Sequence, residues 1–165
     1  MLDIKIRRLQ AENAEDYRTI RLSALKKAPE MFGSVYSLEA QRPIQVFADR
    51  LADCAAFGAY ANGKIMGLMV LKQANGLKDA HKATLSAVFV EPELRGQGVA
   101  NALLKAVVDY GASHVEQIML TVVKGNDAAI GLYKKYGFEP YGVEPRALKT
   151  EQGYLDEVLM ALIFH

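Results

Sequence analysis

A glycine-containing turn is the part of this sequence whose residue types are best suited to chemistry. An apolar strand is followed by Gly96 and Gly98, and a helix is predicted over residues 98–110. The first amides of a helix have no partner within it and lie at the positive end of its dipole, so they bind anions. No acidic residue lies between Arg95 and Val108. The turn is therefore predicted to bind a phosphate or pyrophosphate; the alternative is a tight strand-to-helix turn without a ligand.

The dinucleotide-binding fingerprint is one interpretation of these glycines, and the sequence excludes it. In the frame that starts at Gly96, Asn101 stands where the fingerprint requires its third glycine. The acidic residue about twenty positions on is Glu116, which precedes the next predicted strand, whereas the ribose-binding acid should follow that strand.

Two motifs together favour a different interpretation of these glycines. Residues 95–100 read R-G-Q-G-V-A and fit the pattern [QR]-x-x-G-x-[GA]. Residues 126–138 fit the pattern N-x-x-A-x-x-L-Y-x-x-x-G-F, with Ala129, Leu132 and Gly137 in register. Both motifs lie on the expected elements, so the chain resembles the GNAT-type N-acetyltransferases.

This resemblance implies direct transfer of the acetyl group of acetyl-CoA to a primary amine of a small molecule or peptide, in a ternary complex and without a metal. It implies that main-chain amides hold the pyrophosphate, that the end of a strand pairs with the pantetheine amides, and that Asn126 and Tyr133 flank the thioester. The cofactor contacts it implies are Phe89, Val90, Arg95, Gly96, Gln97, Gly98, Val99, Ala100, Asn101, Asn126, Ala129 and Tyr133.

Tyr133 is the candidate general acid. A neutral phenol with an ordinary pKa of ~10 can protonate a leaving thiolate whose thiol has a pKa of ~8.5. The alternative is a packing role beside Ala129 and Tyr136, and the alternative for Asn126 is that it only caps a helix.

The general base is less well defined by the sequence. Residues 84–88 of the strand before the glycine turn include no side chain that could accept the proton of the amine, although relatives often carry a glutamate there. Glu39, Glu91 and His81 are the remaining candidates. Because none stands out, we expect ordered water to carry the proton away from the amine.

The acceptor is expected opposite CoA, between the first two helices and the last hairpin. The main candidates for contacting it are Phe32, Tyr36, Glu39 and Arg146. Further candidates on the same two segments are Met31, Ser34, Glu144, Tyr154 and Asp156. No feature distinguishes the class of amine, and a non-catalytic acyl-CoA-binding sensor or scaffold remains the alternative function.

Length and composition limit the partners that this site could serve. The 165 residues correspond to one domain, residues 1–165, and 51% of them are hydrophobic. Twenty Lys and Arg against nineteen Asp and Glu give a net charge of +1, which argues against nucleic-acid binding and polybasic membrane attachment. The apolar runs at residues 65–71 and 158–164 are too short to span a bilayer. A single cysteine, Cys54, and three histidines without ligand-like spacing argue against disulfides and structural zinc. We therefore expect a cytoplasmic protein, and the apolar last strand leaves a homodimer open.

The elements that must position the site alternate between the two regular periodicities. Asn62-Gly63 predicts a two-residue hairpin, and Gly111 and Gly137 are predicted to end helices. The predicted fold class is α/β: a GNAT-like fold with a central mixed, mostly antiparallel sheet of about seven strands flanked by about four helices. Strands are predicted at residues 2–9, 55–61, 64–71, 83–90, 118–123, 138–143 and 154–164, and helices at 12–27, 43–51, 98–110 and 126–136.

Overall fold

The computed structural model describes residues 3–29 and 34–165, which form a seven-stranded sheet flanked by helices. The strands are β1 (Ile4–Leu9), β2 (Ala55–Ala61), β3 (Lys64–Gln73), β4 (Lys82–Val90), β5 (Gln117–Val123), β6 (Glu139–Thr150) and β7 (Gly153–Ile163). The helices are α1 (Ala14–Lys27), α2 (Tyr36–Glu39), α3 (Ile44–Ala52), α4 (Val99–Ala112) and α5 (Asp127–Lys135).

The sheet is mixed, and its order is β1-β2-β3-β4-β5-β7-β6. Only β4 and β5 run parallel, because α4 connects them as a crossover, and the other neighbours are antiparallel. The predicted fold class is confirmed. None of the helices in the described ranges is long and apolar enough to cross a membrane.

Two hydrophobic cores hold the helices against opposite faces of the sheet. One includes Leu103, Leu104 and Val107 of α4, and all three side chains are fully buried. The other includes Ile20 of α1 and Phe47 of α3. Burying a large apolar side chain contributes about 1.5–3 kcal/mol, so these two cores fix the sheet between α4 and the α1–α3 pair.

The turns follow the local sequence closely. Asn62 and Gly63 have φ angles of 52° and 80°, which is the geometry that a two-residue hairpin requires at both central positions. Gly137 has a φ angle of 96° just after α5, as predicted for a residue that ends a helix.

The prediction that Gly111 ends the preceding helix is wrong, because α4 continues to Ala112. Gly111 is buried within the helix, and a Cβ atom there would lie 2.6 Å from Cδ1 of Ile118. The glycine therefore allows α4 to approach β5 closely, a tertiary requirement that the local sequence does not reveal.

Candidate active site

A cleft opens where β4 and β5 separate. Their parallel pairing covers only residues 82–84 of β4 and 117–119 of β5, and beyond these positions the two strands are not paired. A cavity of about 900 Å³ lies there, lined by both strands and by residues of α1, α5 and β7. The carboxyl ends of parallel strands are the usual position of a ligand in an α/β sheet, so this cavity is the candidate active site.

A bulge in β4 accompanies the separation. Leu68 pairs with Phe89 and Val70 with Ser86, so two residues of β4 oppose a single residue of β3. Ala87, inside the bulge, has a φ angle of 54°, which is uncommon for a residue with a side chain. A bulge bends its strand, and from residue 85 onward the edge of β4 that faces β5 has no strand partner in the described structure.

The predicted anion-binding turn lies beside this cavity. Gly96 and Gly98 have φ angles of 78° and 80°, and no atom lies within 4 Å of a Cβ built on either residue. The amide of Arg95 donates to Pro92 O at 3.3 Å, so this amide, predicted to bind pyrophosphate, is already used. The amides of residues 96–101 meet no acceptor in hydrogen-bond geometry among the described residues. The turn thus presents open main-chain donors at the start of α4, whose first turn contains no acid.

The side chains of the turn have mixed surroundings. Arg95 and Ala100 line the cavity, whereas Val99 is buried in the core. Gln97 donates from Nε2 to Glu93 O at 3.2 Å. Asn101 joins α4 to the residue that follows α5, because its Oδ1 accepts from the Tyr136 hydroxyl at 3.0 Å.

Helix α5 supplies another wall of the cavity. Asn126, Ala129 and Tyr133 all line it. Asn126 is a helix cap, since its Oδ1 accepts from the amide of Ala129 at 3.4 Å. Asn126 therefore caps α5 and also lines the cavity, so the capping role and the predicted cofactor contact are compatible.

Tyr133 is 4% exposed and packs edge-on against Phe138, with 5.7 Å between ring centroids. Burial raises the pKa of its hydroxyl to about 12. The hydroxyl has no hydrogen-bond partner within the described part of the chain. A phenol with this pKa keeps its proton at neutral pH and is available as a donor to a group in the cavity.

Glu39 also lines the cavity, but its carboxylate is enclosed by guanidinium groups. Arg50 donates to both oxygens at 2.8 and 3.0 Å, and Arg42 donates from Nε at 2.7 Å. Arg21 Nε lies 3.6 Å away. The hydrogen bonds from Arg50 hold the pKa of Glu39 below its ordinary value of 4.5, although burial opposes this effect. A carboxylate stabilised in this way is a poor proton acceptor.

The other two candidate bases lie outside the residues that line the cavity. Glu91 is 8% exposed, and its oxygens accept from Ser23 Oγ at 2.7 Å and from Lys27 Nζ at 2.8 Å. His81 precedes β4, where its carbonyl accepts the amide of Glu116. It therefore lies at the opposite end of β4 from the cleft.

Several of the residues predicted to contact the acceptor do not line the cavity. Phe32 and Met31 lie outside the described residues, and Tyr36 is not among the residues that line the cavity. Arg146 also lies outside this lining, with its guanidinium 4.7 Å from the centroid of the Tyr154 ring.

Ser34 does line the cavity, together with charged residues that the sequence interpretation missed. Arg21 lies on α1, and its side chain donates to the hydroxyl of Ser34 at 3.1 Å. Glu157 lies on β7, next to Asp156, the carboxylate that the sequence predicts as a contact of the acceptor. The strict alternation of side chains along a strand is the signal that separates these two carboxylates.

Replacing Glu39 by Gln is expected to lower the free energy of unfolding by about 1.5–3 kcal/mol at neutral pH, because hydrogen bonds to a charged group are lost. Since the pKa of Glu39 is lowered in the folded state, this stabilisation is complete above pH 4.5 and is lost as the pH falls through the folded-state pKa. Chemical denaturation of both proteins across this range measures it. As a control, Asp49→Asn removes an exposed carboxylate of α3 and should have little effect; a constant difference down to strongly acidic pH would contradict the account.

Known proteins share both the sequence pattern and the fold. The model of the acetyltransferase (GNAT) family matches residues 18–138. The L-amino acid N-acetyltransferase AaaT of Escherichia coli is 28% identical, over 99% of this chain and 99% of its own length. An acetyltransferase of the GNAT family from Streptococcus pneumoniae superposes with a TM-score of 0.87 at 20% identity, over 98% of this chain and 100% of that one. A Salmonella typhimurium structure with its cofactor acetyl-CoA has a TM-score of 0.81 at 18% identity, over 98% and 94% of the two chains.

Proposed function

This chain belongs to the acetyltransferase (GNAT) family and is an N-acetyltransferase, and from that premise we propose that it transfers the acetyl group of acetyl-CoA directly to a primary amine of a small molecule or peptide. Both substrates would be bound at once. The observation that carries this proposal is that Ala100, from the turn whose amides 96–101 are open, lines the same cavity as Tyr133.

We assign the diphosphate of acetyl-CoA to the turn before α4. Six consecutive amides without an acceptor, two glycines with no atom near their Cβ positions and the positive end of a helix fit a dianionic group. Arg95 lines the cavity beside the turn and adds a positive charge. Binding there would leave the thioester to extend toward Tyr133.

The pantetheine arm is assigned to the unpaired edge of β4. Its amides need main-chain partners, and Phe89 and Val90 lie in the part of β4 that β5 does not cover. The carbonyl of Val90 already accepts a long hydrogen bond of 3.3 Å from Arg95 Nε. A carbonyl oxygen has two acceptor sites, so this contact leaves one for the arm.

Acetyl-CoA supplies an activated acyl group whose leaving group is a thiolate. We assign Tyr133 as the donor that protonates this sulfur. Its support is the raised pKa of about 12, which keeps the hydroxyl neutral, and its position in the cavity wall. The cavity extends from Tyr133 to Arg21 and Ser34, which leaves the acceptor room on the side of α1.

Direct transfer is favoured over a relay through the lone thiol. Cys54 lies outside the lining of the active-site cavity and borders a smaller cavity of about 210 Å³ instead. Burial raises the pKa of the Cys54 thiol, which disfavours the thiolate that would act as nucleophile. We therefore expect Cys54→Ser to retain activity.

Release of free thiol from acetyl-CoA, measured with amino acids, spermidine and an alanine-terminated peptide as acceptors, tests the proposal. We expect release that depends on one of these amines, an acetylated product of the corresponding mass, and initial-velocity plots that intersect. Parallel plots would contradict a ternary complex. Saturable CoA binding without amine-dependent release would contradict the proposed transfer.

A further inference from the structure

Among the described residues, two carboxylates line the active-site cavity, Glu39 and Glu157. They differ in their surroundings. Glu39 accepts three hydrogen bonds from Arg42 and Arg50, so its charge is balanced within the protein. The side chain of Glu157 takes part in no hydrogen bond or ion pair within residues 3–29 and 34–165, and its negative charge is left for a ligand.

The position of Glu157 follows from the register of β7. It pairs with Val123 of β5 on one side and with Glu144 of β6 on the other. Directly paired residues of antiparallel strands project from the same face of the sheet. Glu157 is therefore on the face of Val123, which also lines the cavity. Its neighbour Asp156 points to the other face and accepts the amide of Arg146 at 2.8 Å.

The chemistry of the acceptor requires such a group. An alkyl amine with a lysine-like pKa of about 10.4 is mostly protonated at neutral pH and cannot attack until it loses a proton. A half-buried carboxylate without a cationic partner attracts an ammonium group strongly, because the surrounding protein has a lower dielectric constant than water. The same carboxylate can accept the proton if it lies within hydrogen-bond distance.

We propose that Glu157 binds the ammonium group of the acceptor and removes its proton, so that the enzyme's acceptors are alkyl ammonium compounds. This inference rests on the proposed transfer and replaces the expected relay through ordered water. Glu157 is thereby a catalytic residue on the opposite side of the cleft from the guanidinium groups around Glu39.

The proton balance assigns one role to each side chain. The ammonium gives a first proton to Glu157, which passes it to solvent. The neutral nitrogen then forms a bond to the carbonyl carbon of the acetyl group while the bond between this carbon and sulfur breaks. Tyr133 gives its proton to the sulfur. The nitrogen loses its second proton, and this restores the proton of Tyr133. The products are the amide, free CoA and one proton released to solvent.

Glu157→Gln keeps the size of the side chain and removes its charge. With the amine that the wild type acetylates fastest in the panel above, we expect kcat/KM for the amine to fall by about 10² or more, since general-base catalysis contributes that much. The KM for acetyl-CoA should stay within about twofold of the wild type. Glu157→Asp should recover part of the lost activity, because it restores the carboxylate.

Glu144→Gln is the matched control. The sequence predicts Glu144 as a contact of the acceptor, but the structure places it outside the cavity lining, directly paired with Glu157 on β6. It should keep kcat/KM within about threefold of the wild type. Equal losses in both Gln variants, or an unchanged Glu157→Gln enzyme, would overturn the role of Glu157 while leaving acetyl transfer intact. A wild-type enzyme that acetylates no amine would overturn the proposed function itself.

Titration with CoA separates a folding defect from a catalytic one. Glu157→Gln should bind CoA with the affinity of the wild type, because Glu157 lies on β7 and the proposed diphosphate site precedes α4. If the Gln variant does not fold, the wild-type enzyme decides, through its KM for amines that are charged and for amines that are neutral at the assay pH. A KM that does not depend on the charge of the amine would contradict the inference.

Discussion

Replacing Tyr133 by Phe is expected to lower kcat by about 10²–10⁴, the usual contribution of a general acid. The substitution removes a single oxygen atom and keeps the ring that packs against Phe138. The leaving sulfur would then depart without a proton donor, because Tyr133 lies with Asn126 and Ala129 on the α5 side of the cavity, whereas Tyr17, a second tyrosine of the lining, lies on α1. Steady-state rates at saturating acetyl-CoA and amine measure this effect.

The affinity for CoA should change little in Tyr133→Phe, since a group that acts in the transition state affects kcat more than binding. Tyr110→Phe is the matched control, because Tyr110 lines the smaller cavity beside Arg8 rather than the active site. Its kcat should remain within about twofold of the wild type. A Tyr133→Phe enzyme with normal kcat and weakened CoA binding would assign Tyr133 to packing instead of proton donation.

Replacing Gly98 by Ala is expected to weaken CoA binding by about 10- to 100-fold, the effect of losing one charge-assisted hydrogen bond. The added Cβ would lie in the open space in front of the turn, where the diphosphate must approach. The left-handed backbone, with a φ angle of 80°, would also be strained by about 1–2 kcal/mol. Calorimetric titration with CoA gives the affinity, and chemical denaturation gives the stability.

Gly63→Ala separates these two effects. Gly63 also has a φ angle of 80° and open space at its Cβ position, but it lies in the β2–β3 hairpin. Both variants should lose a similar free energy of unfolding, while only Gly98→Ala should lose affinity for CoA. Equal affinities in the two variants would show that the turn before α4 does not hold the diphosphate.

The features that the sequence predicted well depend on short-range signals. Asn62-Gly63 specifies its hairpin because both residues tolerate positive φ angles, and Gly96 and Gly98 specify an open turn for the same reason. Asn126 and Gly137 mark the two ends of α5. Each of these signals acts over a few residues, so a single sequence suffices to find them.

The shape of the cleft depends on tertiary contacts and could not be predicted. Nothing in the sequence of β4 indicates that its pairing with β5 stops at Thr84, or that Ala87 adopts a positive φ angle. The sequence predicts that α4 ends at Gly111, but the helix continues to Ala112, and Gly111 leaves room for the side chain of Ile118. These features depend on residues far apart in the chain.

The charged residues of the cleft show the same limit. Glu39 was a candidate base by its type, but its arginine partners come from three different segments and could not be assigned in advance. The sequence predicts that Asp156 contacts the acceptor, but Glu157 is the residue that lines the cavity. The register of β7, which its pairing with β5 and β6 defines, determines which of the two carboxylates faces the cavity.

Calorimetric titration with CoA, dephospho-CoA and pantetheine tests most directly whether main-chain amides at the start of α4 hold the diphosphate of CoA. CoA and dephospho-CoA both contain the diphosphate and should bind with similar affinity. Pantetheine lacks it and should bind at least about tenfold more weakly. Equal affinity for pantetheine and CoA, or no saturable heat with CoA, would contradict the account.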